Sequence, residues 1–258
     1  MPAPSDLSKL SVRQFAERFR GEMIPLSNTF SYFCASVPMS EEDLKEYLQE
    51  PVAALPPSIA GRLPKVSILL VPYLERSNGR ERSRTKGATG DFVSIEKPPE
   101  GRTTTSTHLR FGDETVLVFA LKDQEVAEYH YRFYSLLATL MGESWTEEMD
   151  TAYSRVLREE LTADVHGEVD EPSWRLKQAI RRGSGTRGAR SGKAFREYAR
   201  QSFIDTLTLY LHGICCDIDV DTGPRQLPSR YLRRRLIALQ ELFPPPKGYA
   251  VFPEQLES

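Results

Sequence analysis

The run Val66-Ser-Ile-Leu-Leu-Val71, closed by Pro72, is almost continuously apolar. A stretch this short, bounded by proline, reads as a buried strand. Thr115-Val-Leu-Val-Phe-Ala-Leu121 is richer still in β-branched and aromatic residues and is the strongest strand in the chain. Between them, Phe92-Val-Ser-Ile95 and Thr107-His-Leu-Arg-Phe111 read as shorter strands. The spacing therefore predicts a small, mainly antiparallel sheet over 65–122. The strands do not alternate one-for-one with helices, which argues against a doubly wound sheet.

Outward from the sheet the pattern turns helical. Upstream, Ser11-Val-Arg-Gln14 is a capping box followed by Phe15 and Phe19 on one face. Ser40 caps a second helix, with Leu44, Tyr47 and Leu48 as its stripe and Pro51 as its end. Residues 1–50 thus read as accessory N-terminal helices, and 65–258 as the main domain. Downstream, helices are expected from Asp123, from the capping box Ser144-Trp-Thr-Glu147, from near Pro172, after Gly192, and from Pro228–Ser229. Residues 76–90 and 183–192 lack side chains that could pack and read as flexible loops. The predicted class is α+β: the small sheet packed by a larger C-terminal set of helices.

At 258 residues, with 40% hydrophobic and 27% charged side chains, the chain has the make-up of an ordinary globular protein. Its net charge of −2 gives no overall pull toward nucleic acid or anionic lipid. No stretch approaches eighteen apolar residues, so no membrane span is expected, and the N-terminus lacks signal-peptide character. Three cysteines, two of them adjacent, make neither a disulfide framework nor a thiolate zinc site. A cytoplasmic location follows as the expectation.

Two clusters concentrate candidate ligands: His166-Gly-Glu168-Val-Asp170, and His212-Gly-Ile-Cys-Cys-Asp217-Ile-Asp219-Val-Asp221. They match no known motif. Imidazole with carboxylate suits a divalent transition metal. On a strand, Asp217, Asp219 and Asp221 would share one face, successive carboxylates roughly 7 Å apart. The sharp reading is a metal-dependent hydrolase. Its metal ligands would be His166, Asp170, His212, Asp217 and Asp219, Glu168 would act as base, and Arg225 or Arg230 would steady developing negative charge. That reading requires the two clusters to meet. The structural alternative is that each histidine precedes a glycine at a helix end, where glycine accepts the left-handed conformation.

Other chemistries fail on residue type. An EF-hand would need glycine at Thr222 and glutamate at Pro228. The helix around His130 reads His130-Tyr-Arg-Phe-Tyr134, without the base or second ligand of a zincin, and His130 falls among apolar side chains as a core residue would. There is no nucleophile elbow, P-loop or dinucleotide fingerprint.

The second reading is non-catalytic: an interaction or regulatory protein that binds nucleic acid or a protein partner through arginines. From Trp174 to Arg200 nine cations face one acid, Glu197. Arg181, Arg182, Arg187, Arg190 and Lys193 belong to that run, and Arg230, Arg233, Arg234 and Arg235 fall on the last long helix. Guanidinium forks suit phosphate oxygens.

Overall fold

The structure, a computed structural model, describes residues 10–35, 37–76, 91–183, 192–216 and 225–252. Helices and strands are mixed, and the strands form two sheets. The chain divides into two compact units: residues 1–51 with 63–132, and residues 52–62 with 133–258. No helix among the described residues is long and apolar enough to cross a membrane.

The first unit holds both sheets. Strands β1 (Ile24–Pro25), β2 (Phe30–Cys34), β3 (Lys65–Val71), β7 (Ser106–Phe111) and β8 (Glu114–Ala120) lie in the order β1-β2-β3-β8-β7. The three central strands, β2, β3 and β8, are parallel, and antiparallel pairs flank them on both sides. A second, wholly antiparallel sheet joins β4 (Tyr73–Glu75) to β5 (Phe92–Ser94) and β6 (Thr103–Thr104). The expected sheet over 65–122 therefore extends upstream into 24–34, a segment read as helical from sequence, and its centre is parallel.

Burial on both faces explains the near-continuous apolar runs. On one face Leu69 and Val71 of β3, with Val116, Val118 and Ala120 of β8, pack beneath α1 (Val12–Phe19) through Phe15, Ala16 and Phe19. On the other, Phe119 meets the ring of Tyr129 edge-on at 4.9 Å, and Tyr129 meets Tyr47 at 5.1 Å. The Ser11 capping box forms as expected, as does that of Ser40. Pro51 does not end its helix. After α2 (Glu41–Leu44) the backbone widens into a π turn, Lys45–Gln49, and continues as α3 (Glu50–Ala53). The wider turn accommodates a proline that can neither donate a hydrogen bond nor tolerate the normal approach of an upstream carbonyl.

The second unit is helical. It contains α4 (Pro57–Ala60), most of α5 (Val126–Glu143), α6 (Glu147–Thr162), α7 (Glu171–Gly183), α8 (Lys193–Cys215) and α9 (Ser229–Leu242). Asp123 is not the cap of α5. It lies three residues upstream with φ +60°, and its carboxylate pairs with Lys97 at 2.7 Å. The cap of α6 is Thr146 rather than Ser144; its hydroxyl accepts from the Met149 N–H at 3.3 Å. Within this unit α8 packs against α6, α7 and α9. Its buried side carries Phe195, Tyr198, Phe203, Leu207, Tyr210 and Leu211.

Candidate functional site

Three helices of the second unit each place one charged residue on their buried face. In α6 it is Glu160, one turn beyond Val156 and Leu157; in α7, Lys177, three residues before Ile180; in α9, Arg235, between Leu232 and Leu236. All three side chains are fully buried, as is Glu168 in the segment joining α6 to α7. They meet as one network.

Arg235 is its hub. Its Nη1 donates to Glu168 Oε2 at 2.7 Å and to Ser202 Oγ at 2.8 Å, and its Nη2 donates to Glu168 Oε1 at 2.9 Å and Glu160 Oε2 at 2.5 Å. Its Nε completes the fork on Glu160 at 3.1 and 3.2 Å. Glu168 Oε1 also receives the Tyr198 hydroxyl at 2.5 Å and Lys177 Nζ at 3.0 Å. Lys177 donates in addition to the Gly167 carbonyl at 2.8 Å. Beside this set, Tyr153 Oη donates to Thr206 Oγ1 at 2.6 Å. Two carboxylates and two cations balance to zero, the condition under which buried charges are tolerated.

The electrostatics follow from that closure. Burial opposes ionisation of Glu168, but the Arg235 charge, its hydrogen bonds, Lys177 and Tyr198 prevail and hold the carboxyl at about 2. Burial pulls Lys177 below its ordinary range against the support of Glu168. Burial, reinforced by the Glu168 charge, pushes the Tyr198 hydroxyl well up. A carboxylate held ionised far below neutrality, with both oxygens already accepting, is poorly suited to general-base work.

The connecting segment is fixed as tightly as the helices. The end of α6 is closed by Asp164, not by Gly167. Asp164 has φ +52°, and the Val165 N–H reaches the Glu160 carbonyl at 2.9 Å. Gly167 has φ +87°, and a Cβ there would collide with the Gln226 carbonyl. The backbone of Glu168 bridges to 225–227, through Glu168 N–H to the Arg225 carbonyl and Leu227 N–H to the Glu168 carbonyl, both at 3.0 Å. The glycine therefore permits a close backbone approach that lets Glu168 enter the core.

The other expected ligands have separate places. His166 is exposed, its ring 4.9 Å from that of Trp174. Asp170 precedes α7, where its Oδ1 accepts the Glu171 N–H at 2.7 Å. His212 is buried in the last turn of α8, beside Tyr134 at 6.2 Å. Gly213 is inside that helix rather than beyond its end. Among the described residues, none of His166, Glu168, Asp170 and His212 belongs to a cluster of three metal-capable donors within 4.8 Å of one another. Asp217, Asp219 and Asp221 lie outside the described residues, as do Arg187, Arg190 and most of the two expected loops.

The remaining arginines are mostly at the surface. Arg225 pairs with Glu171 at 3.6 Å, and Arg181 pairs with Asp164. Arg182 and Lys193 are exposed. On α9, Arg230 lies 4.7 Å from the Tyr231 ring centre, Arg233 lies 4.2 Å from that of Phe252, and Arg234 pairs with Glu159. His130 is the core residue its spacing suggested; its Nε2 is 2.9 Å from the Glu46 carbonyl.

Asp205 of α8 is a further buried acid, outside both sequence clusters. It accepts from the Ser173 N–H at 3.2 Å and from Gln201 Nε2 at 2.8 Å. Burial raises its carboxyl to about 6 in spite of those bonds. Glu160, Lys177 and Tyr198 belong to no motif in the sequence, and Arg235 stands there as one of several arginines on the last long helix. The available signal was a charge interrupting an apolar stripe at helical spacing. No protein-family model matches the chain, and neither a curated protein nor a solved structure is found to be similar to it.

Proposed function

We propose that the chain is a non-catalytic binding protein whose partner is a polyanion, nucleic acid first, and that it binds through the exposed arginines of α9. The observation that carries this reading is how α9 divides its arginines. Arg235 turns inward and is neutralised by Glu160 and Glu168, while Arg230, Arg233 and Arg234 share the exposed side with Ile237. Two of these guanidinium groups lie over aromatic rings, which restricts their planes before any partner arrives. The exposed stripes of α7 and α8 add Arg175 and Arg182, then Lys193, Arg196 and Arg200, against Glu171 and Glu197. The hydrolase reading asks Glu168 to serve as base, and that carboxylate is engaged by Arg235, Lys177 and Tyr198. Arg230 and Arg233 stand exposed on α9, whereas Arg234 would exchange Glu159 for the partner.

The test is fluorescence anisotropy with labelled duplex DNA and single-stranded RNA between about 50 and 200 mM salt. Affinity is expected to fall steeply with salt, and Arg230→Gln with Arg233→Gln to weaken binding across sequences. A flat salt response would remove the reading.

A further inference from the structure

We propose that the first unit carries a separate binding site for a small phosphorylated anion, in the cleft where β7 ends and β3 and β8 begin. The cleft has a volume of about 890 Å³ and is lined by Arg13, Arg20, Lys65, Arg110 and Phe111, with Asp113 and Glu114 at the hairpin. That volume falls within the range of small-molecule sites. No residue of α7, α8 or α9 takes part, so the proposal is independent of the polyanion reading.

The four cations come from four places in the chain: Lys65 from the start of β3, Arg110 from near the end of β7, Arg13 from α1 and Arg20 from the turn after it. Lys65 opens β3 opposite Glu114 of β8, and Phe111 of β7 is also paired with Glu114. The β7–β8 hairpin turns through Gly112, whose φ of +58° suits the first central position of a two-residue loop. This tight turn sets Arg110 and Phe111 against the start of β8. Arg13 leaves α1 over the Phe111 ring, its guanidinium 4.9 Å from the ring centre. Arg20, just past α1, pairs with Glu114 at 2.9 Å.

Glu114 and Arg20, both in the lining, are tied into the sheet by a chain of polar contacts. Ser31 and Ser67 hydroxyls lie 3.0 Å apart, Ser67 donates to Glu114, and Glu114 holds Arg20. Ser67 is buried, and the Glu114 side chain is only 16% exposed. Arg20 is thus oriented from beneath rather than left to wander, which lowers the ordering cost of binding.

Charge selects the ligand class. The four cations in the lining outnumber its two carboxylates, and with Glu17 beside Arg13 one positive charge remains in excess, which favours an anion such as a phosphate monoester or pyrophosphate. Guanidinium forks match phosphate oxygens, and Lys65 adds a point charge. The ligand is small because Asp113 is exposed at the hairpin turn, and Glu17 stands 3.9 Å from Arg13. A continuous nucleic-acid backbone would have to pass these acids, whereas a compact anion avoids them.

Isothermal titration calorimetry of the full chain with inorganic pyrophosphate, and separately with inorganic phosphate, tests the site. Saturable binding at one site is expected, weakening as salt rises. Lys65→Gln and Arg110→Gln are each expected to lower affinity by about tenfold or more, as loss of a charge-assisted hydrogen bond does. Asp113→Asn is expected to tighten binding, a gain that a misfolded variant could not produce. Arg132→Gln, at an exposed α5 residue paired with Glu128, is expected to leave pyrophosphate affinity unchanged. Absence of saturation with either anion, indifference to Lys65→Gln and Arg110→Gln, or a loss caused by Arg132→Gln would each overturn the proposal.

Discussion

Glu168 shows how a single residue changes meaning between sequence and fold. In sequence it stands between a histidine and an aspartate and resembles a metal-site base; in the fold its carboxylate closes a neutral set with Arg235, Lys177 and Glu160. Removing one charge leaves the others uncompensated in a dry interior. Glu168→Gln is expected to cost about 3–5 kcal/mol of stability at neutral pH, measured by chemical denaturation. The same contacts set the acid response. Because the folded carboxyl is held at about 2, below its ordinary 4.5, its contribution is complete above 4.5 and disappears as pH falls toward 2. Asp205 acts with the opposite sign. Its carboxyl is raised from 3.8 to about 6, so its contribution is most favourable below 3.8 and is lost as pH rises through 6. Asp205→Asn removes the titratable group and keeps one oxygen acceptor, for either the Ser173 N–H or Gln201 Nε2, which meet different oxygens of the carboxylate. Denaturation midpoints of this variant between pH 4 and 7 are expected to lose that downward slope, and an unchanged slope would show that Asp205 is not its source.

At the scale of elements, the network is possible only because the 163–170 segment docks against 225–227. Gly167 is the pivot: its φ of +87° and its closeness to the Gln226 carbonyl exclude any side chain. Gly167→Ala is expected to destabilise the protein by about 2–3 kcal/mol or more, combining left-handed strain with a backbone clash. Circular dichroism melting should place it well below Asp164→Gly, which retains the left-handed turn at the end of α6 and forfeits only a surface ion pair. The helices also show what spacing alone can reveal. The stripes of α8 and α9 were legible from Phe203, Leu207, Leu232 and Leu236, because burial follows the helical repeat. Arg235 was not, because a charge on an apolar face looks like a surface residue until its partners on other helices are known. Phe30-Ser-Tyr-Phe-Cys34 was missed for a related reason. A five-residue strand between helical patterns gains its stability from pairing with Val66–Leu70, 36 positions downstream.

At the scale of the whole molecule, a net charge of −2 conceals local excesses of positive charge in each unit. Polyanion affinity should therefore depend on particular arginines rather than on total charge. If Arg230 and Arg233 each contact one phosphate, the double variant Arg230→Gln/Arg233→Gln is expected to reduce the salt slope by about two, one per lost contact. A reduction in affinity with no change of slope would assign those residues to packing against Tyr231 and Phe252 instead.

What the amino-acid sequence determined by itself is local: the apolar strands at 66–71 and 115–121, the Ser11 and Ser40 caps, and the helical stripes. Each rests on contacts or periodicities spanning a few residues. Only the tertiary structure decided the parallel centre of the main sheet, the closure of Glu160, Glu168, Lys177 and Arg235 into a neutral core, and the gathering of Arg13, Arg20, Lys65 and Arg110 around one cleft. Those depend on partners tens of residues apart. The energy of a charge is set by which other charges stand within a few ångströms of it, and by how little water lies between them.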